Sequence, residues 1–379
     1  AGASTLARAT AAQPPASFSG GALYMHGGPH ALRASLVLEA ERLCGVEPAG
    51  DTDLVRRAAR VRRTLASRGR VLAVIDDVQE PHAATWAVDH LLPPDSAALL
   101  VTRDRALLRA LPAAEVALPA GERTARSTYA PEALSGELQW RLARLGAFAA
   151  GVLDVHVVAA VWDDDADAAR AGLAALAHEG LLAREGDPAA PRYRLQPDAA
   201  AEAAALLETS PDRAIVFTRH ADAVLEALSE AEGAFARGGE TTGLALAHAI
   251  DLWPQVSEAR ARATADETGR SAAWEMALLG SAPRLLALLV PPAQRATWLE
   301  RTLRPSIQAG RRRWDARLLP ALSEAQLALG DAAASLRTAR LAVAAASQAG
   351  NHESVALARV RVAAALVAQD NPRAAIDEL

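Results

Sequence analysis

The run RGRVLAVIDDV at residues 68–78 constrains this chain most, because branched apolar residues that close on two carboxylates suit few folds. Residues 71–75 carry no polar alternation, which predicts a strand covered on both faces, as in a parallel sheet. Asp76 and Asp77 then emerge at its carboxyl end, the edge where open α/β sheets place their ligands. A Mg²⁺ that accompanies phosphates takes carboxylate help at such an edge. A second run of the same kind, AALLVTRD at residues 97–104, follows after one helical pattern. Its strand, residues 99–101, delivers Thr102 and Arg103 to the same edge, where a hydroxyl and a guanidinium suit a γ-phosphate. An acidic strand end alone often only caps the next helix. The ordered pair of strands is the more specific signal.

Composition narrows the setting. A chain of 379 residues exceeds one ordinary core, so roughly two to four compact parts are expected. Apolar residues make up 51% but aromatics only 4%, so alanine and leucine carry the hydrophobicity and favour closely packed helices. The net charge of −5 gives no global basic field for nucleic acid or anionic membrane. The single cysteine, Cys44, excludes an intramolecular disulfide framework and implies a cytoplasmic setting. No apolar run is long enough to span a bilayer and no charged-then-apolar leader opens the chain, so no membrane partner is expected. Lysine is absent altogether. The chain opens on Ala1 in mid-pattern and closes inside a helical pattern, and we read it as an internal piece of a longer protein.

The fold expected is multidomain and mainly α. Residues 1–120 alternate strand and helix: helix from 4, strand 21–25, helices 32–43 and 54–67, strand 71–75, helix 83–92, strand 99–101, helix 105–111 and an edge strand 116–118. The motif VRRAARVRR within 54–67 reads as a solvated arginine face. Residues 121–200 hold a polar connection, helices 137–148, 155–162 and 167–179, and a two-stranded hairpin 181–184 with 193–195, the order of a winged helix. Residues 201–300 read as a helical linker or degenerate repeats. Residues 301–379 carry turn signals at Gly310, Gly330, Gly350 and Asp370–Asn371, which predicts a truncated solenoid of helix pairs of the tetratricopeptide (TPR) kind.

The opening AGASTLARA fits the second half of a phosphate-binding loop, G-x-x-x-x-G-K-[ST], if Gly2 is its last glycine. Ser4 then takes the hydroxyl place on Mg²⁺, and Thr5 opens the helix. Ala3 stands where the lysine belongs, and the first half of the loop would precede Ala1.

With these segments, the chain resembles the NB-ARC (AP-ATPase) branch of the STAND signalling NTPases, nearest to actinobacterial regulators that add TPR repeats. The resemblance rests on STLARA (4–9), FSGGALYMHG (18–27), RVLAVIDDV (70–78), LLVTRDRAL (99–107), LSGELQWRLARLGAF (134–148), LAALAHEGLL (173–182) and RYRLQP (192–197). It implies a P-loop NTPase domain over 1–120, a winged helix over 121–200, and a switch between ADP-bound and ATP-bound states. It also implies that the repeats bind a protein partner in signal transduction or transcription regulation. Residue by residue, Gly2, Ser4 and Thr5 would meet phosphate and Mg²⁺, Asp76 would hold Mg²⁺ through water, Asp77 would orient the attacking water, and Thr102 and Arg103 would sense the γ-phosphate.

This sequence departs from that pattern at three places. The loop lysine is Ala3, the helical subdomain between sensor strand and winged helix has no room, and the winged-helix histidine that touches the ADP phosphate corresponds to Gln196. Losing a charge-assisted phosphate contact removes one of the stronger hydrogen bonds. The expectation is a degenerate site with weak ADP/ATP–Mg²⁺ binding and little or no hydrolysis.

Other candidates read blandly. His26 and His30 are separated by Gly27, Gly28 and Pro29, which break any helix, so a loop pair is expected rather than a metal site. Asp163, Asp165 and Asp167 imitate a calcium loop, but Ala168 and Ala174 stand where glycine and glutamate are needed, so helix capping is expected. Arg311–Arg313 reads as a solvated patch, Trp298 and Trp314 as packing between repeat helices, and Cys44 as a buried small residue. Two further readings stand beside the switch: a transcription regulator with DNA bound upstream or through the winged helix, and a pure scaffold. The segment 167–179 offers Arg170 and His178 but no row of base-reading side chains, so DNA is expected only through a domain outside this chain.

Overall fold

The structure, a computed structural model, describes residues 3–27, 33–46, 53–79, 81–102, 134–185, 191–239, 241–265, 270–308 and 312–379. Gly2, His30, Arg103, the expected helix 105–111, the expected strand 116–118, Gly310 and Arg311 lie outside the described residues. The chain divides into two compact units, one formed by Ala1–Val224 with Arg237–Glu258, the other by Leu225–Ala236 with Ala259–Leu379.

The first unit opens with an α/β segment: α1 (Ala3–Ala12), β1 (Ala22–His26), α2 (Arg33–Cys44), α3 (Leu54–Arg68), β2 (Leu72–Asp76), α4 (Pro81–Leu91) and β3 (Ala97–Leu100). The three strands form a parallel sheet in the order β1-β2-β3. Every residue of β2 is buried while β1 alternates, as a central strand beside an outer one requires. One face of the sheet, through Leu23, Met25, Ala73 and Ile75, packs on Val37 and Ala40 of α2, Val61 and Leu65 of α3, and Ala84 and Leu91 of α4. The other face, through Leu72 and Val74, packs on Ala7 of α1. Successive residues of a strand face opposite sides, so this covering follows from the sequence once the strand is placed.

A polar link runs inside this apolar layer. Arg57 of α3 donates to both carboxylate oxygens of Glu41 of α2 at 3.0 and 2.6 Å, with side chains 2% and 0% exposed. The VRRAARVRR motif is therefore not wholly a solvated face: Arg57 is core.

The same unit continues with α5 (Gly136–Leu145), β4 (Gly151–Leu153), α6 (Val155–Trp162), α7 (Ala166–His178), β5 (Leu182–Glu185) and β6 (Arg192–Leu195), and then α8 (Pro197–Glu208). The sheet here has three antiparallel strands in the order β4-β6-β5 rather than the two-stranded hairpin expected. β4 has three residues and starts at a glycine, so alternation has no length in which to appear. Asp165 caps α7 as expected, and Ser135 and Asp154 cap α5 and α6 in the same way, each accepting from backbone N–H groups of the first turn. Asp163 ends α6 in the left-handed region, so the aspartate cluster is a helix junction. Gly172 of α7 is required by close approach. A Cβ there would stand 2.7 Å from the buried Trp162 ring and 2.4 Å from the Arg141 guanidinium.

Residues 213–308 fold into α9 (Arg213–Arg237), α10 (Thr241–Ala265), α11 (Arg270–Ser281), α12 (Pro283–Leu289) and α13 (Pro292–Gln308). The chain ends in α14 (Arg312–Ala328), α15 (Ala332–Gln348), α16 (His352–Ala368) and α17 (Pro372–Glu378). Gly330, Gly350 and Asp370 take positive φ and are followed by Asp331, Asn351 and Asn371, whose side chains cap the next helix on Ala334, Ser354 and Ala374 N–H. A left-handed residue followed by a cap is the physical content of the repeated turn signal. Trp298 is buried in the second unit with the Arg260 guanidinium 3.7 Å above its ring, a cation–π contact.

Candidate functional site

The carboxyl edge of the parallel sheet gathers the charged groups. In the register of β1 on β2, His26 lies opposite Asp76 and Tyr24 opposite Val74, so Tyr24 is the diagonal neighbour of Asp76 on the α1 face. The Tyr24 hydroxyl donates to Asp76 Oδ2, and the Asp77 N–H donates to Asp76 Oδ1 at 3.0 Å. Arg8 of α1 donates through Nε to the Tyr24 oxygen at 3.1 Å. Asp76 is 2% exposed, and its charge is held by this chain of donors. Burial, reinforced by the hydrogen bond to Asp76, pushes the Tyr24 hydroxyl up from its ordinary pKa. The same hydroxyl raises the Arg8 pKa.

Asp77 takes φ 54°, a left-handed conformation uncommon outside glycine, and its carboxylate accepts from the Gln79 amide at 3.2 Å. The turn is fixed on both sides. Gly27 N–H donates to the Asp76 carbonyl at 2.6 Å, and Val78 N–H donates to the Val101 carbonyl at 2.7 Å. A Cβ on Gly27 would lie 3.1 Å from the Asp76 carbonyl oxygen, so this close approach favours glycine. The same ladder brings Thr102, next to Val101, to the Asp77 edge.

Of the residues expected from sequence, Asp76, Asp77 and Thr102 thus share one edge. Ser4 and Thr5 sit in the first turn of α1, the helix on that face. Gly2 and Arg103 lie outside the described residues. Gln196 is the N-cap position of α8 and makes no side-chain cap bond.

Sequence reading missed Arg8, Tyr24, Glu39 and Arg194. Arg194 of β6 is held by Glu185 at 2.7 and 3.3 Å, and its charge acts on Arg8, His26 and Glu39. The antiparallel sheet therefore brings a guanidinium toward the carboxyl edge two residues before Gln196. Glu39 accepts from the His26 N–H at 3.1 Å. Although Glu39 keeps part of its surface, the protein packed around its carboxyl desolvates it and pushes its pKa up to about 7. Burial also depresses His26, against the pull of Asp77. The signals were present, since Tyr24 and Asp76 have matching strand parity, but their meeting needs the register.

A second linkage lies nearby. Asp251 of α10 receives both terminal nitrogens of Arg42 of α2 at 3.1 and 2.8 Å, and Arg192 of β6 at 2.8 Å. These side chains are partly exposed, so the triad orients three elements more than it stabilises them.

Among the described residues no group of three or more His, Cys, Asp or Glu side chains is placed to hold a metal, and no helix is long and apolar enough to cross a membrane. Arg170 of α7 is paired with Asp167 at 2.5 Å, both side chains well exposed. Cys44 is a free, buried thiol whose pKa is raised by burial.

No protein-family model matches the chain, and no curated protein matches it. Among solved structures, the chain is similar to the crystal structure of a Signal Transduction ATPase with Numerous Domains (STAND) protein with a tetratricopeptide repeat sensor from Pyrococcus horikoshii. The identity is 11%, the match covers 98% of this chain and 71% of that chain, and the TM-score is 0.38. A likeness of that size assigns no family.

Proposed function

We propose that this chain is a STAND-type regulatory protein of the NB-ARC branch, in which a degenerate nucleotide site is coupled to a winged helix and a repeat surface that binds a protein partner. The observation that carries the reading is Asp76 and left-handed Asp77 beside Thr102 at the carboxyl edge of a parallel sheet, with α1 opening on Ser4 and Thr5. Phosphates suit a helix start beside such an edge. The segment α5–β4–α6–α7–β5–β6 is read as the winged helix, and α14–α17 as TPR-like repeats.

The fit to Mg²⁺ is conditional on the nucleotide. Asp76 is buried and hydrogen-bonded by Tyr24, so it acts on an ion only through water, and the described residues supply no complete ligand set. Mg²⁺ commonly completes its octahedron with phosphate oxygens. When bound, it would screen the phosphate charge that a loop lysine normally meets. Asp77 and Thr102 would orient water and the terminal phosphate. With Ala3 in the lysine position, the reading is nucleotide-dependent conformational control with little or no hydrolysis.

A pure scaffold is the second reading, favoured by the same Tyr24–Asp76 bond, because a carboxylate held by its own protein has a structural use without any ligand. Calorimetric titration of ADP and of ATP, each with Mg²⁺, separates the two. Heat that saturates, requires Mg²⁺ and falls about tenfold in affinity in Asp76→Asn supports the switch, the size expected for one lost charge-assisted contact to the hydrated ion. No heat from a folded protein at near-millimolar nucleotide leaves the scaffold.

A further inference from the structure

Helix α3 carries a charge that the nucleotide reading leaves unused. Its 15 residues hold six arginines and no acidic side chain. Arg57 is spent on Glu41 in the core, and Arg68 donates to the Cys44 carbonyl at 3.0 Å. The other four, Arg56, Arg60, Arg62 and Arg63, line one open groove of about 580 Å³ with Ala59 and Ala66 between them.

Local acids do little to neutralise this face. Arg56 meets Asp53 at 3.1 Å where both are well exposed. Arg60 stands 3.7 Å from Glu41, a carboxylate already bonded at both oxygens by Arg57, and its buried Nε has no hydrogen-bond partner among the described residues. Arg62 donates to the Asp89 carbonyl at 3.3 Å, which leaves its charge uncompensated. Arg63 is exposed and has no ion pair or side-chain hydrogen bond among the described residues. Like charges three and four residues apart destabilise a helix, so this spacing costs folding free energy that an anion would return.

We infer that this arginine face of α3 binds the sugar–phosphate backbone of a nucleic acid. A guanidinium fork meets a phosphate through two N–H groups. Arg56, Arg62 and Arg63, with the charge of the partly buried Arg60 behind them, lie within roughly 10 Å of helix at about 1.5 Å per residue, which suits a linear polyanion better than one small anion. The helix has no Asn, Gln or aromatic side chain, and its arginines are proposed to meet phosphates, which position a protein on nucleic acid without reading its sequence. A membrane surface fits less well. Interfacial helices insert an apolar face, and here Ala58, Val61 and Leu65 are wholly buried in the core, so the exposed Val55 is a single apolar side chain and not a face. With a net charge of −5 the whole chain offers no general attraction, so any binding must be local.

The test is fluorescence anisotropy of the full chain with labelled random-sequence duplex and single-stranded oligonucleotides over a salt series. Binding is expected at low salt, weakening with a log–log slope of about −0.9 per engaged phosphate on duplex and about −0.7 on single strands. R56E/R63E, at two exposed positions, should lower affinity about tenfold or more and flatten the duplex slope by about two. R337E/R340E carries the same charge change on exposed positions of α15 and should leave both quantities unchanged. Should R56E/R63E lose its fold by circular dichroism, R56Q/R63Q replaces it with the same expectation at smaller size. No binding at low salt overturns the inference, and so does equal loss in both double variants. Arginine-dependent binding to phosphatidylserine vesicles without binding to oligonucleotides overturns it in favour of a membrane.

Discussion

In the α/β segment, α2 and α3 are joined by a glutamate and an arginine almost wholly out of water, whereas α15, α16 and α17 meet through Ala339, Val362, Ala363, Leu366 and Ala375. The first contact is singular: one donor fork, one carboxylate, one geometry. The second is distributed, with small apolar side chains recurring along helices that begin at residues 332, 352 and 372. The difference teaches where each region is vulnerable. A buried ion pair fails when one partner is lost, because the other charge stays behind in a medium that cannot solvate it. An alanine seam fails when volume is added, because there is no space to receive it.

Replacing Glu41 by alanine is the strongest way to break this comparison. It should cost about 3–5 kcal/mol in chemical denaturation, because Arg57 is left as an uncompensated buried charge. A loss below that of the seam variant would mean that Arg57 finds water, and the contrast would fall. In the seam, Ala339→Leu should cost about 1–3 kcal/mol by overpacking. Hydrogen exchange should show its extra opening confined to α15–α17.

Smaller tests concern the site edge. Tyr24→Phe keeps the ring under Arg8 but removes the donor to buried Asp76, and should cost about 1–3 kcal/mol in thermal or chemical unfolding. A change within error would mean that another group takes over the carboxylate.

Glu39 gives the gentlest effect and one with a sign. Its folded pKa of about 7 lies above the ordinary 4.5, so the folded state holds a proton that the unfolded state releases. Stability therefore falls as pH rises through that window and levels off above it. His26 acts oppositely, since its depressed folded pKa makes stability fall as pH drops below 6.5. Glu39→Gln should abolish the decline between 4.5 and 7 and leave the His26 slope, read from unfolding midpoints across pH. A retained decline would assign the titration to another group.

Much of the architecture was legible in residues 68–101. Uninterrupted apolar runs and the carboxylates that end them need only the two-residue parity of a strand. The repeat boundaries were legible for a similar reason, since a left-handed residue followed by a cap is a local chemical demand at 330, 350 and 370. The strand at Gly151–Leu153 was not, being too short to show a period, and the expected hairpin gained a third strand. The closeness of Asp76, Asp77 and Thr102 was legible because Asp76 ends β2, Asp77 follows it and Thr102 lies just past β3. Tyr24 was passed over because it reads as one more residue of an apolar strand, and Arg194 because its sheet lies far along the chain.

The sequence by itself therefore determined most of the elements and the ends at which charge emerges, since these depend on neighbours within a few positions. Tertiary structure alone decided which charges meet. Register set Tyr24 on Asp76, helix packing put Arg57 rather than Arg56 on Glu41, and the antiparallel sheet turned Arg194 toward His26 and Glu39. Electrostatic partnership depends on distance and burial, and neither can be read along the chain.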